Sequence, residues 1–337
     1  MNSFATDEDW HSILTTFKED SSHFERVKYS YDLILKIYNL TKIKRTSIIS
    51  NSLIIFHKYY IYTFFTNSSI LIALNEDNDN NKNLAYISLA CFFISLKTSN
   101  YLFPCQFIID SFCNIQKIEN DEEKIKIRKK VLFYESDIFF SINFSMEYKL
   151  PYPFLKNLLG IGDEAVLKYI IKNSNKNTNI NNILAKIDND ENKIKCIKNT
   201  ISEIVNYSFL FPFFLNYNSE IISFSCLKLA LARLNSQINI KDIINIIDNY
   251  QKETKFVSID VNDINDIEIC SSLIDELVLS KICLTHPQET YNINNVNIHN
   301  NFLNVNAHYA QYNTETKPKD ELKEKTKIET LLKRKRK

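Results

Sequence analysis

Two glycines in 337 residues, Gly160 and Gly162, constrain this chain more than any other feature. Tight β-hairpins place glycine at positions of positive φ, so a fold built from hairpins needs many more. A Walker loop, a dinucleotide fingerprint or a kinase phosphate-covering loop needs several glycines, because backbone must approach phosphate without a Cβ in the way. Those nucleotide-binding enzyme classes are excluded. The two glycines themselves are expected in a loop. The rest of the chain is rich in Ile, Leu, Lys and Asn, with apolar residues recurring at helical spacing. The expected fold class is all-α.

The length suits two domains of ordinary size, and 45% hydrophobic with 24% charged residues suits a globular chain. A net charge of +1 provides no overall field to recruit nucleic acid or a membrane. "MNSFATDEDW" at the N-terminus is acidic and is followed by no apolar core of a signal peptide. Apolar runs such as "FLFPFFL" (209–215) fall short of the roughly 20 residues that span a bilayer. The cytosol or nucleus is the expected compartment, with no membrane partner. Seven cysteines include no C-x-x-C pair, and Cys91 and Cys226 sit within apolar helical patterns as buried free thiols. The six histidines offer no triad or metal spacing, and His57 reads as a packing or hydrogen-bonding residue. No cofactor, no metal and no catalytic residue is expected.

One segment is written twice. "ISLACFFISL" (87–96) returns 135 positions later as "ISFSCLKLAL" (222–231). In the first copy Ser88, Cys91 and Ser95 form a narrow small-residue stripe on a helix otherwise apolar all round. Such a helix belongs at the centre of a bundle, with the stripe admitting one neighbour closely. Periodicity places helices at about 22–39, 46–62, 84–97, from Pro104 to Cys113, and after the charged stretch "KIENDEEKIKIRKK" to about Phe144. It resumes after the prolines of "LPYPFL" and again at about 194–208, 219–234, 240–250 and 262–284. Five helices are followed by five more, the small-striped helix being third in each set. The implied organisation is an N-terminal extension (1–21), a first unit (22–146), a second unit (147–285, with an Asn-rich insertion at about 160–193) and a polar, disordered tail (286–337). "LNEDNDNNKN" (74–83) reads as a further solvated loop.

At this point the chain resembles the cyclin family. "SLIIFHKYY" (52–60) is similar to the second helix of transcription-type cyclins. "LACFFISLK" (89–97) is similar to the end of the central helix with its signature lysine, and "VLFYESDIFFSINFSM" (131–146) to the fifth helix with its signature glutamate. "LPYPFL" (150–155) and "IVNYSFLFPFFLNYNSEIISFSCLKLALARL" (204–234) are similar to segments of the second box. The resemblance covers about residues 22–285 and implies two tandem five-helix cyclin boxes. It implies a non-catalytic subunit that forms a heterodimer with a cyclin-dependent Ser/Thr kinase and activates it. By position, Lys97 and Glu135 are the implied kinase-binding pair, with Phe139, Phe144 and Met146 offering apolar contacts to the kinase C-helix. The chain departs from the family after Lys97. Thr98, Ser99 and Asn100 stand where a hydrophobic residue and two acids are usual. Lys97 and Glu135 are also further apart than usual, and the extra "IENDEEK" (118–124) is expected to loop out.

The "FHKYY" and "LPYPFL" segments look most like the C, H, K, L and T types, and neither an Arg-x-x-Leu nor a Lys-Glu-Asn destruction-type motif occurs. That favours transcription or RNA processing over the cell cycle, with transcription or splicing machinery as further partners. The terminal run Lys333, Arg334, Lys335, Arg336 and Lys337 reads as a nuclear import signal, making the expected location nuclear, with a cytoplasmic pool also compatible. Two alternatives are a general transcription factor of the TFIIB type and a cyclin-fold scaffold that activates no kinase. The first predicts a zinc ribbon and strongly basic repeats, and neither is visible in this sequence. No direct sequence-specific binding of nucleic acid is expected.

Overall fold

The computed structural model describes residues 21–41, 47–65, 80–101, 103–145, 148–174, 189–234, 239–251 and 261–285, with positions 12, 15, 43, 45, 184 and 187. Met146, the run Lys333 to Lys337, the tail from 286 and most of the 74–83 stretch lie outside the described residues. Among the described residues regular structure is helical and no strand occurs, so the fold is all-α. The first group comprises α1 (Ser21–Thr41), α2 (Ser47–Phe65), α3 (Asn80–Thr98), α4 (Cys105–Gln116) and α5 (Asp121–Ser141). The second comprises α6 (Pro151–Ser174), α7 (Asp190–Ser208), α8 (Ser219–Arg233), α9 (Ile240–Gln251), α10 (Val261–Ile274) and α11 (Ser280–Thr285). A short 3-10 turn (Phe213–Leu215) precedes α8, and a π-helical stretch (Asp275–Leu279) joins α10 to α11.

Asparagine starts several of these helices. Asn120, Asn189 and Asn218 each accept a hydrogen bond from a first-turn backbone N–H, at 2.9, 2.8 and 2.8 Å. An N-cap acceptor satisfies one of the orphan donors there. At α5, Asp121, Glu122 and Glu123 follow the cap, where carboxylates favour the positive end of the helix dipole. This overturns the expectation that "IENDEEK" loops out. Ile118, Glu119 and the cap Asn120 instead lead directly into α5, and Asp121 to Lys124 form its first turn. The glycines are corrected too: both lie within α6, and a left-handed residue follows at Glu164 (φ 66°).

In the first group α3 packs against α1, α2, α4 and α5, and in the second α8 packs against α6, α7 and α10. Both are central. The small-residue stripe serves two neighbours rather than one: Ser88 Oγ donates to Ser30 of α1 (2.9 Å), and Ser95 Oγ to the Ile48 carbonyl of α2 (2.8 Å). The second copy behaves alike. Ser223 Oγ, the counterpart of Ser88, donates to the Ser219 carbonyl one turn back (2.5 Å) and lies 3.3 Å from the Pro151 carbonyl of α6, while Ser225 Oγ donates to the Ile267 carbonyl of α10 (3.1 Å). In each group the central helix therefore meets the first helix through a serine at the same offset. Cys91 and Cys226 are fully buried free thiols, with burial raising both pKa values.

Buried apolar side chains of the two groups form one continuous core. The seam between them is polar in places. His57 Nε2–H donates to the Phe209 carbonyl (2.9 Å), and the Tyr148 hydroxyl donates to the Asn51 carbonyl (3.2 Å). The Tyr152 hydroxyl donates to Asn206 Oδ1 (2.8 Å); with its single hydrogen so engaged, it accepts from Ser50 Oγ (2.7 Å). Among the described residues no helix is long and apolar enough to cross a membrane.

Candidate docking site on the first bundle

Lys97 stands in the last turn of α3, where a cation favours the negative end of the helix dipole. Glu135 stands in the C-terminal half of α5. The packing of α3 on α5 brings these residues, 38 positions apart, into an ion pair: Lys97 Nζ donates to Glu135 Oε1 at 2.5 Å. The carboxylate is recessed, with 11% of its side chain exposed, and the ammonium points outward with 45% exposed. Lys97 Nζ also lies 4.1 Å from the centre of the Phe93 ring, a cation–π contact that holds the stem against α3. An ammonium has three donors, so the pair leaves N–H groups on Lys97 to offer outward.

Thr98, Ser99 and Asn100, which stand where the resemblance leads one to expect a hydrophobic residue and two acids, have local work in this structure: the Thr98 hydroxyl donates to the Ser95 carbonyl at 3.1 Å. Asn100 adopts the left-handed conformation (φ 61°) that ends α3, and Tyr101 N–H bonds the Leu96 carbonyl (2.9 Å) across that cap. Asparagine tolerates this conformation better than a bulkier side chain. Ser99 is buried, and its carbonyl accepts from Arg45 at 3.4 Å.

The C-terminal end of α5 carries the predicted aromatics. Asn143 and Phe144 are both left-handed (φ 54° and 55°), and Phe144 N–H reaches back to the Phe139 carbonyl at 3.0 Å. That turn folds Phe144 onto Phe139, whose rings stack with centres 5.5 Å apart, and against the edge of Phe140 at 5.8 Å. A non-glycine residue in this region costs on the order of 1 kcal/mol, so two in succession mark a shape held by its surroundings. Phe139 is half-buried, while Phe144 is 61% exposed. Phe140 and Phe133, which sequence reasoning missed, are exposed at 71% and 59%. Their signal was present: α5 carries an apolar set beyond the buried face of Val131, Tyr134, Ile138 and Ile142, and one amphipathic helix needs only one such face.

The α2 segment "FHKYY" supports this surface from behind. Lys58 Nζ donates to the Ser145 carbonyl (3.0 Å) just past the aromatic turn and lies over the Tyr148 ring. The Tyr59 hydroxyl donates to Asp137 Oδ2 of α5 at 2.5 Å, and Tyr60 accepts from Arg26 of α1 at 2.7 Å. Burial lowers the Lys58 pKa, and burial followed by the Asp137 hydrogen bond raises that of Tyr59. These residues brace α5 and the turn after it; they do not form its outer face.

No protein-family model matches this chain, and no curated protein matches it. Among solved structures it is similar to a chain in the CAK complex from Chaetomium thermophilum bound to ATP-gamma-S. The identity is 12%, the alignment covers 88% of this chain and 80% of that chain, and the TM-score is 0.46.

Proposed function

We propose that this chain is a cyclin-type regulatory subunit that docks on a cyclin-dependent Ser/Thr kinase through α3 and α5 and activates it. One observation carries the reading: Lys97 and Glu135, singled out by motif alone, meet in a half-exposed ion pair beside exposed aromatic side chains. The ammonium donates to carbonyls of the kinase segment leading into its mobile C-helix, and the free oxygen of Glu135 accepts from backbone N–H. Phe139 and Phe144 pack on the C-helix, joined by Met146. Docking favours the kinase conformation in which its own glutamate pairs with its ATP-binding lysine. Transcription or RNA processing is the proposed setting. Nuclear entry is assigned to the basic run from Lys333 to Lys337.

The test is reconstitution with a panel of purified cyclin-dependent kinases, reading phosphate transfer with and without this chain. A partner kinase should gain activity severalfold or more. Since the two charges satisfy each other within the chain, the swapped variant Lys97→Glu/Glu135→Lys retains an ion pair and the fold. It should nevertheless weaken kinase association by at least about tenfold, beyond the roughly 0–1 kcal/mol of an ordinary surface pair. No gain with any kinase, or full activation by the swapped variant, contradicts the proposal.

A further inference from the structure

The N-terminal half of α5 has a charge pattern that the docking reading does not use. After the acidic first turn come Lys124, Lys126, Arg128, Lys129 and Lys130, and no acid interrupts them before Glu135. Lys124 pairs with Asp121 at 3.3 Å. The other four are exposed and take part in no ion pair among the described residues. At helical spacing Lys126 and Lys130 fall on one flank of the outer face, and Arg128 falls on the other, the flank of Glu135 and its partner Lys97. Lys129 lies within an outer apolar stripe with Ile125 and Leu132, which are exposed at 55% and 38%. The stripe continues through Phe133 to Phe140 and is thus bordered by unpaired cations only in its N-terminal half; the Lys97–Glu135 pair and Asp137 border its aromatic half.

We infer that this half of α5 is a docking surface for an acidic amphipathic helix of a protein partner, with leucine-like side chains on the stripe and carboxylates on both flanks. Within the proposed function, on which this rests, that helix belongs to the kinase partner and supplies the charge complement for a chain that lacks the acidic residues usual after Lys97. Charge complementarity of this kind selects the partner and speeds encounter. A nucleic acid fits less well. The basic cluster spans less than two turns and ends against Glu119, Asp121, Glu122 and Glu123, all exposed carboxylates that would repel a continuing phosphate backbone. Exposed aromatics gather at the end away from the bases, whereas single-strand sites interleave stacking and charge along one groove.

The probes are two synthetic helical peptides of five turns, about 18 residues, with the same leucine face and either glutamates or glutamines beside it. Against the full chain, the glutamate peptide should bind at least about tenfold more tightly, and that advantage should shrink as salt rises. Changing Lys126, Arg128, Lys129 and Lys130 together to glutamine, a good helix former, should abolish the preference while circular dichroism stays unchanged. Equal binding of the two peptides, no binding of either, or tighter binding of a single-stranded RNA of matched charge overturns the inference. The outcomes separate from those of the kinase test. Peptide selectivity without kinase activation leaves the surface and removes the kinase, and activation without selectivity does the reverse.

Discussion

His57 is fully buried at the seam between the two bundles, with its Nε2–H given to the Phe209 carbonyl. Burial pulls its pKa down to about 4, against a smaller upward pull from that hydrogen bond. The unfolded imidazole titrates near about 6.5. Between those values the unfolded chain binds the extra proton, so stability is complete above about pH 6.5 and falls as pH drops towards 4. The loss from this group is on the order of 3 kcal/mol. His23 acts in the same direction, lowered first by burial and then by His57, Arg26 and Lys281. Urea midpoints measured across this window should fall with acid, and His57→Gln, which keeps an amide donor for Phe209, should flatten the slope. An unchanged slope would assign the acid sensitivity elsewhere. The sequence marked His57 as a bonding residue through its helical context, but its partner lies 152 positions away and no local pattern points to it. The sequence singled out Lys97 and Glu135 through the motifs that frame them; that they bind each other depends on the packing of two helices.

At the scale of the element, apolar periodicity made the buried face of α1 readable, since one side of it must leave water, and sequence apolar on nearly every side marked α3 as central. The start of α5 was misread because a run of charges looks like a solvated loop. The overlooked signal was Asn120 as cap with three acids in the first turn. The central helices show how a small residue can specify packing. Ser88 is fully buried, and its single hydroxyl hydrogen has two acceptors within reach, Ser30 Oγ and the Leu84 carbonyl. Ser88→Leu should push α1 off α3 and cost about 1–3 kcal/mol by overpacking. Ser88→Ala should cost roughly 1 kcal/mol for the lost hydrogen bond. Denaturant midpoints of the two variants check this, and a leucine variant as stable as the alanine one would mean that the small stripe sets no helix spacing.

Across the whole molecule, the duplicated segment was the strongest clue, because two central helices with serines at matching offsets imply two bundles. How the bundles join was not legible. Ser50, Tyr152 and Asn206 come from three distant helices, and only the folded chain brings them within hydrogen-bond distance. The same holds for the outer face of α5, whose exposure depends on which side α3 covers. The proposed function requires that face to be formed before any partner arrives, as an α3–α5 unit braced by Lys58 and Tyr59 from α2. The most direct test is amide hydrogen exchange on this chain, alone and bound to a kinase that it activates. The account predicts slow exchange in α3 and α5 already in the free chain, with added protection on binding confined to residues near 97–101 and 125–145. Protection appearing only on α6 to α11, or an α5 that becomes ordered only in the complex, would contradict it.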